Sequence, residues 1–186
     1  LNILNSLNVL GSIYIESITA DELYLQDINI FTNLEDGVLD IEIQPVSAYG
    51  GSIQGAARLD GRNPAADIGI QLDLKNINIS ELSPPIPRLN SFNGSLDAEA
   101  NYTSSGATTG ELVDTLSGST AFTITENSVD IGVIKQVFTA IAALSPTGEA
   151  IQQWPDVIQF SELSGYILLE NGITENQQFK VRMDNL

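Results

Sequence analysis

The residues best suited to chemistry in this sequence are closely spaced carboxylates. Asp40 with Glu42, and Asp97 with Glu99, are each two positions apart in stretches that have a strand pattern, so each pair shares one strand face. Two carboxyl groups at a suitable separation can hydrolyse a glycosidic bond. Aspartate and glutamate are mostly solvated unless they are paired, and no cluster of aromatic residues indicates sugar subsites. The pattern favours a solvated face and leaves a carboxylate-based glycan hydrolase as an alternative.

Oxygen ligands also occur together in the loop that begins at Asp60. Asp60, Asn63 and Asp67 are side chains that calcium accepts, but their spacing fits no EF-hand, and the pattern favours a polar turn. The chain has no histidine and no cysteine, which excludes the usual zinc sites, thiol nucleophiles and the Ser-His-Asp triad. We therefore predict no catalytic residues, no metal site and no cofactor.

Charge narrows the choice of partners. The chain has 24 acidic and seven basic residues, for a formal net charge of −17. Nucleic acid is excluded as a partner because binding a phosphate backbone depends on clustered Lys and Arg, and anionic membrane surfaces are disfavoured for the same reason. The longest purely apolar run, Ala140 to Leu144, is too short to span a bilayer. Because the sequence begins in mid-pattern without an initiator methionine, we expect it to be a piece of a longer protein.

The segments that carry these side chains have the residue pattern of β-strands. From Leu10 to Ile79, apolar residues recur at alternate positions, which is typical of strands with one buried face. Asp36-Gly37 predicts a hairpin, and consecutive hairpins make an antiparallel meander. The apolar positions change parity, switching from odd-numbered to even-numbered residues between Leu25 and Ile28 and from even-numbered to odd-numbered residues between Leu74 and Ile77. Both changes predict bulges, and bulges bend a sheet.

The second half of the chain mixes strands with helical segments. Pro84, Pro85 and Pro87 predict a covering loop or linker, since proline cannot lie in a central strand. The segment "TTGELVDTLSG" predicts a short helix between two strands, with Thr109 as its N-cap and Gly118 as its stop.

Three further features follow along the chain. Asn127-Ser128 predicts a turn, and Asn171-Gly172 predicts the hairpin between the last two strands. Apolar residues at helical spacing from Gly132 to Leu144 predict an amphipathic helix that packs on the sheet.

We predict a mainly β (α+β) fold in which a curved antiparallel sheet, or open β-groove, has a few short helices packed on its concave face. One domain covers residues 1–186, with a β-meander over 1–80, a proline-rich connection over 81–92, and strands with helical insertions over 93–186. If the sheet closes over its helices, its apolar face is a core. If the sheet stays open, the same face lines a trough suited to acyl chains.

Four segments, taken in order, carry a family resemblance: "VSAYGGSIQGAARLDGRNPAADIGIQLDLKNINISEL", "FNGSLDAEANYTSSG", "LVDTLSGSTAFTITENSVDIG" and "FSELSGYILLENG". They resemble the C-terminal region of the AsmA family, which comprises TamB-related periplasmic proteins of Gram-negative bacteria. The resemblance covers nearly the whole chain. In family terms, the small helix before "LSGS" is similar to a recurrent helical insertion between two strands of the AsmA sheet.

The resemblance implies a non-enzymatic periplasmic module, tethered to the inner membrane through an N-terminal anchor outside this sequence. It implies a role in outer-membrane biogenesis, either by sheltering or transferring lipid along an apolar β-groove or by assisting outer-membrane protein assembly. The implied partners are phospholipid or another acyl-chain lipid, and outer-membrane assembly proteins. A structural, protein-interaction module with a self-filled core remains an alternative. The residues predicted to line the apolar groove are Ile28, Ile30, Leu39, Ile41, Ile43, Ile53, Ile68, Ile70, Leu72 and Leu74.

Overall fold

A computed structural model describes residues 7–20, 23–82, 92–130 and 157–183 of the chain. These residues form one unclosed, curved antiparallel sheet in which nine strands follow one another in sequence order. The mainly β, antiparallel fold class predicted from the alternation is confirmed. The strands are β1 (Val9–Ala20), β2 (Leu23–Glu35), β3 (Val38–Ala48), β4 (Gly51–Asp60), β5 (Ala66–Asn78), β6 (Phe92–Gly106), β7 (Ser117–Asp130), β8 (Val157–Glu170) and β9 (Ile173–Arg182).

Two short helices accompany the sheet in the described part of the chain. Helix α1 (Ile79–Leu82) follows β5, and helix α2 (Thr109–Asp114) joins β6 to β7. The predicted amphipathic helix from Gly132 to Leu144 lies outside the described residues. Of the proline-rich connection predicted over 81–92, residues 83–91 also lie outside them, while Glu81 and Leu82 belong to α1 and Phe92 begins β6.

Three hairpins are closed by two-residue turns in which both residues have positive φ. These φ values are 48° and 82° at Asp36-Gly37, 47° and 73° at Tyr49-Gly50, and 49° and 73° at Asn171-Gly172. Such turns match the twist of the flanking strands, and glycine adopts them without steric penalty. The two hairpins predicted at Asp36-Gly37 and Asn171-Gly172 are confirmed.

The bulge predicted between Leu74 and Ile77 is confirmed. Leu74 pairs with Ala98 and Ile77 pairs with Leu96, so β5 contains one more residue than β6 over this interval. Asn76 takes up the extra residue with φ 54°, and its backbone N–H donates a hydrogen bond of 2.8 Å to the Asp97 carboxylate. The Asp97 side chain of β6 therefore holds the β5 bulge in place.

The parity change before Ile28 occurs without a shift in strand register. Asp27 has φ 54°, yet Ile28 pairs with Ile15 and Leu25 pairs with Ile18, so β1 and β2 have the same number of residues between these pairs. The prediction of a bulge between these two strands was wrong, because β1 changes parity at the same place as β2.

A further register shift, which the alternation did not reveal, lies in β3 around Pro45. Ile43 pairs with Gly55 and Val46 pairs with Ile53, so β3 has one residue more than β4 in this interval. Proline lacks a backbone N–H to donate to the sheet, and a bulge is one of the few positions in which a strand tolerates it.

The turn predicted at Asn127-Ser128 is absent. Strand β7 continues through both residues, with Ser128 paired to Asn93 of β6 and to Gln159 of β8. Pairing on both sides overrides the local turn preference of asparagine, because strand preference depends mainly on the neighbouring strands.

Candidate functional site

The ten residues of the predicted apolar groove lie on one face of the sheet, here called the apolar face. Residues that pair directly across antiparallel strands point to the same side. Ile30 pairs with Ile43, and Ile53 pairs with Leu74. The remaining pairs that define the face are Ile15–Ile28, Leu34–Leu39, Leu39–Leu59, Leu59–Ile68, Ile41–Ala57, Ala57–Ile70 and Gly55–Leu72.

Exposure varies strongly along this face. Ile28 is buried, with 5% of its surface exposed, whereas Ile70 is 50% exposed, Leu72 38% and Ile43 36%. The exposed residues lie near the middle of β3 and β5. The other six predicted residues, all half-buried, are Ile30, Leu39, Ile41, Ile53, Ile68 and Leu74.

Small residues of β4 lie between these larger side chains. Gly55 is opposite both Ile43 and Leu72, and Ala57 is opposite both Ile41 and Ile70. A side chain at Gly55 would begin 3.6 Å from a Leu72 methyl group and 3.0 Å from a backbone oxygen. The centre of the apolar face is therefore a shallow trough with aliphatic sides. The groove prediction omitted Gly55 and Ala57, although their place in the period-two pattern could have revealed them.

Helix α2 lies over the apolar face near Ile68 and Ile70. A cavity of about 240 Å³ separates the helix from the sheet, and its lining includes Ile68, Tyr102, Leu112 and Leu116. The Ser104 hydroxyl donates a hydrogen bond of 2.6 Å to the Leu112 carbonyl, which ties the helix to β6. The prediction that this short helix covers part of the apolar face agrees with this position.

The ends of α2 differ from those expected from the sequence. Thr108, not Thr109, is the N-cap, and its hydroxyl accepts a hydrogen bond of 3.2 Å from the Glu111 backbone N–H. The Glu111 carboxylate in turn accepts a 2.7 Å bond from the Ala107 N–H, a reciprocal arrangement close to a capping box. The helix ends at Asp114 with Thr115 as its C-cap, so Gly118 is not its stop.

Gly118 instead lies within β7, with φ 153°. A Cβ at this position would lie 2.0 Å from the Asn101 carbonyl oxygen, so only glycine permits this close approach between β6 and β7.

Comparison with known protein families gives one result. The AsmA family model matches residues 6–179. The chain belongs to the AsmA family. No curated protein and no solved structure matches it. The family suggests a role in outer-membrane or lipid-related biogenesis and is associated with the Gram-negative envelope.

Among the described residues of this AsmA-family chain, no helix is sufficiently long and apolar to cross a membrane.

The candidate catalytic carboxylates of the AsmA-family chain take part in separate polar contacts on the opposite face of the sheet, here called the polar face. Asp40 forms an ion pair of 2.8 Å with Arg58, and Glu99 lies 3.5 Å from the Lys75 ammonium group. Asp97 accepts the backbone hydrogen bond that holds the β5 bulge, and Glu42 accepts one from the side chain of Gln44. These contacts fit a solvated face.

Two of the candidate calcium ligands of the AsmA-family chain, Asp60 and Asp67, lie opposite each other on β4 and β5. Asp60 is bonded to the Arg62 guanidinium, which lowers the pKa of Asp60 to about 2. Across residues 7–20, 23–82, 92–130 and 157–183, no three acidic side chains are placed to hold a metal ion together.

Proposed function

We propose that this part of an AsmA-family protein is a non-enzymatic module that works in the periplasm. In this proposal it takes part in outer-membrane biogenesis by sheltering or transferring acyl-chain lipid along its apolar face. The observation that carries the proposal is the half-exposed aliphatic centre of that face, where Ile43, Ile70 and Leu72 border the small residues Gly55 and Ala57. Such a trough has no side-chain group that requires a hydrogen bond, which suits a hydrocarbon ligand.

The dimensions of the sheet support this function. Nine strands at a spacing of about 4.8 Å extend over roughly 38 Å, whereas the hydrocarbon of one membrane leaflet is about 15 Å thick. An acyl chain lying across the strands thus has room along its full length. Each methylene group removed from water contributes about 0.8 kcal/mol, so even a shallow trough can retain a chain of ordinary length.

Charge favours a lipid without net negative charge. The chain has a formal net charge of −17, and four cations of its described part, Arg58, Arg62, Lys75 and Arg182, are each paired with a carboxylate. A zwitterionic headgroup at the rim of the trough would meet less repulsion than an anionic one.

The proposal is tested by native mass spectrometry of the purified chain, followed by lipid analysis of an organic extract. We expect phospholipid at a defined stoichiometry. A double variant, Ile70→Asn with Leu72→Asn, should lose the lipid and keep the circular dichroism spectrum of the parent, because both side chains are substantially exposed.

Ile173→Asn is the matched control. Ile173 is 64% exposed but follows the β8–β9 turn opposite Glu170, outside the apolar trough, so this variant should retain the lipid. A lipid-free, fully folded parent chain would overturn the proposal and favour a scaffold whose helices fill its own sheet.

A second candidate, assistance in outer-membrane protein assembly, is favoured by edge strand β9. Every residue of Ile173–Arg182 is exposed, and β9 pairs only with β8 among the described strands. A free strand edge offers unpaired backbone groups to an incoming strand. Slower hydrogen exchange of the β9 amides when an outer-membrane protein strand peptide is added would support this role, and unchanged exchange would contradict it.

A further inference from the structure

The polar face carries a groove distinct from the apolar trough. A cavity of about 570 Å³ crosses from β1 to β7, within the usual size range of ligand pockets. Two rows of side chains on the polar face border it, and between them runs a middle row that includes Ile41, Ala57 and Ile70. The side chains of this middle row belong to the apolar face, so the row borders the groove through its backbone. In strand order, the first row contains Asn33, Asp40, Arg58, Gly69 and Thr103, and the second contains Phe31, Glu42, Ala56, Gln71 and Asn101.

The floor of this polar-face groove is low because two of its residues are small. A Cβ added at Gly69 would meet no atom within 4 Å, so space lies directly above this position. Ala56 is the other small residue of the floor. At the β1–β2 end, Leu10 is 86% exposed and Phe31 is 48% exposed, so an aliphatic chain and an aromatic ring form an apolar wall.

The charges in the groove disfavour an anionic ligand. Among the described residues, Arg58 is the only cation that lines the groove, and its guanidinium donates hydrogen bonds to both carboxylate oxygens of Asp40, at 2.8 and 3.1 Å. Glu42 adds a further negative charge. A phosphate or sulfate group would therefore find no free cation here and would meet the field of a strongly acidic protein.

The polar side chains of the groove are suited to hydroxyl groups. The side-chain amides of Asn33 and Asn101 form no hydrogen bond within the described part of the chain, and the Gln71 amide makes only a long bond of 3.5 Å to Asp73. An amide offers two donor hydrogens and an acceptor oxygen, and a hydroxyl group can both donate and accept. Three such amides along one groove match a ligand with several hydroxyl groups.

A peptide fits the groove less well. Strand addition requires an open sheet edge, whereas the backbone of the groove floor in β4 and β5 is already paired on both sides. Only side chains are available to a ligand that lies on this face.

We propose that this polar-face groove binds an uncharged oligosaccharide. One sugar ring lies against Phe31, and hydroxyl groups along the oligosaccharide bond to the amides of Asn33, Gln71 and Asn101. An aromatic ring beside hydrogen-bonding side chains offers both an apolar surface and polar partners, as a sugar ring requires. The proposal concerns binding alone, and the Asp40 carboxylate of the groove is held in an ion pair by the Arg58 guanidinium. The proposal is independent of lipid binding on the apolar face.

The test is an NMR titration of the ¹⁵N-labelled chain with maltohexaose, cellohexaose and chitotetraose, three neutral sugars that differ in linkage and substituents. Concentrations up to about 10 mM would detect even weak binding. We expect at least one sugar to shift the backbone amide signals of β3 to β6 that border the groove.

Two variants separate groove binding from a general surface effect. Gly69→Leu should fill the groove without a clash and weaken binding at least about tenfold, because the ligand would have to displace the new side chain. Ala121→Leu adds the same bulk on the same face, at an exposed position between Glu99 and Tyr166 and outside the groove, so it should leave binding unchanged.

Three outcomes would overturn the proposal. These are no shift with any of the three sugars, shifts that fall away from the groove, and equal binding by Gly69→Leu and the parent chain. Shifts at the groove caused by a nonionic acyl-chain detergent but by none of the sugars would likewise exclude an oligosaccharide and indicate a second lipid surface.

Discussion

Two regions of the apolar face are built from the same residue types and have opposite exposure. At one end of β5, Ile77 is 0% exposed, and Ile79, the first residue of the helix α1 that follows, is 2% exposed. In the middle of β5, by contrast, Ile70 is 50% and Leu72 38% exposed. All four are aliphatic residues of comparable size. Alternation thus places a side chain on a face, and the local backbone and neighbouring segments decide whether water reaches it.

The buried region, here called the Ile77 end, contains the irregular backbone of the sheet. Asp27 of β2, Pro45 of β3 and Asn76 of β5 lie at this end, where these three strands and β1 change parity. The Asn78 N–H donates a hydrogen bond of 2.8 Å to the Tyr49 carbonyl, which ties the end of β5 to the β3–β4 turn. Bulges strengthen local twist and bend the strands. In the middle of the apolar face the strands pair without bulges, and the side chains there are more exposed.

The largest expected effect comes from removing side-chain volume in the two regions. Ile77→Ala should lower the free energy of unfolding by about 2–5 kcal/mol, because it leaves a cavity in a fully buried position. Ile70→Ala should lower it by less than about 1.5 kcal/mol, because half of that side chain is already in water. Urea denaturation followed by circular dichroism measures both values. Equal losses would show that the two regions do not differ energetically.

Replacing a glycine by alanine adds side-chain volume, and it tests the same contrast between the crowded Ile77 end and the open middle of the sheet. A Cβ at Gly51 would lie 2.1 Å from the Lys75 carbonyl oxygen and 2.5 Å from Asn76 backbone atoms, so Gly51→Ala should destabilise the Ile77 end by about 1–3 kcal/mol. Gly69 has open space above it, and Gly69→Ala should stabilise the sheet by about 0.5–1 kcal/mol. Thermal unfolding in the same buffer checks the sign, and a stabilised Gly51→Ala would contradict the close approach.

Helix α2 offers a third region for comparison, at the end of the strands away from Ile77. Thr108→Ala should lower the free energy of unfolding by about 1 kcal/mol, because the Glu111 N–H loses its acceptor. Thr109→Ala is the control, since Thr109 is the first helical residue and its hydroxyl has no hydrogen bond within the described residues. A larger loss for the control would restore Thr109 as the cap that the sequence predicted.

The smallest effect concerns pH at the β4–β5 loop. The pKa of Asp60 is lowered to about 2 by Arg62, so their contact stabilises the fold fully above the ordinary aspartate pKa near 4 and is lost as the pH falls towards 2. Arg62→Gln should therefore be slightly less stable than the parent at neutral pH, and the difference should shrink as the pH falls from about 4 to about 2. Parallel urea titrations at neutral pH and near pH 2 measure this difference, and a gap that persists at low pH would exclude the ion pair as its cause.

Much of the fold was predictable because the deciding interactions are local. Asp36-Gly37 and Asn171-Gly172 determine their own turns through backbone preference, and the spacing from Leu74 to Ile77 required a residue to be absorbed. The turn predicted at Asn127-Ser128 failed because β6 and β8 pair with β7 on both sides, and a single sequence does not show those partners. Thr108 was missed as the N-cap because neighbouring threonines have the same capping chemistry, and only the backbone conformation distinguishes them.

The amino-acid sequence alone shows which side of each strand is apolar, because side chains alternate along a strand whatever that strand pairs with. It also shows the acidic charge and the absence of histidine and cysteine chemistry. The sequence does not show that Ile77 is buried while Ile70 is exposed, or that Phe31, Gly69 and Asn101 border one groove. Exposure and grooves depend on the register between strands, and this register brings together residues that are far apart in the chain.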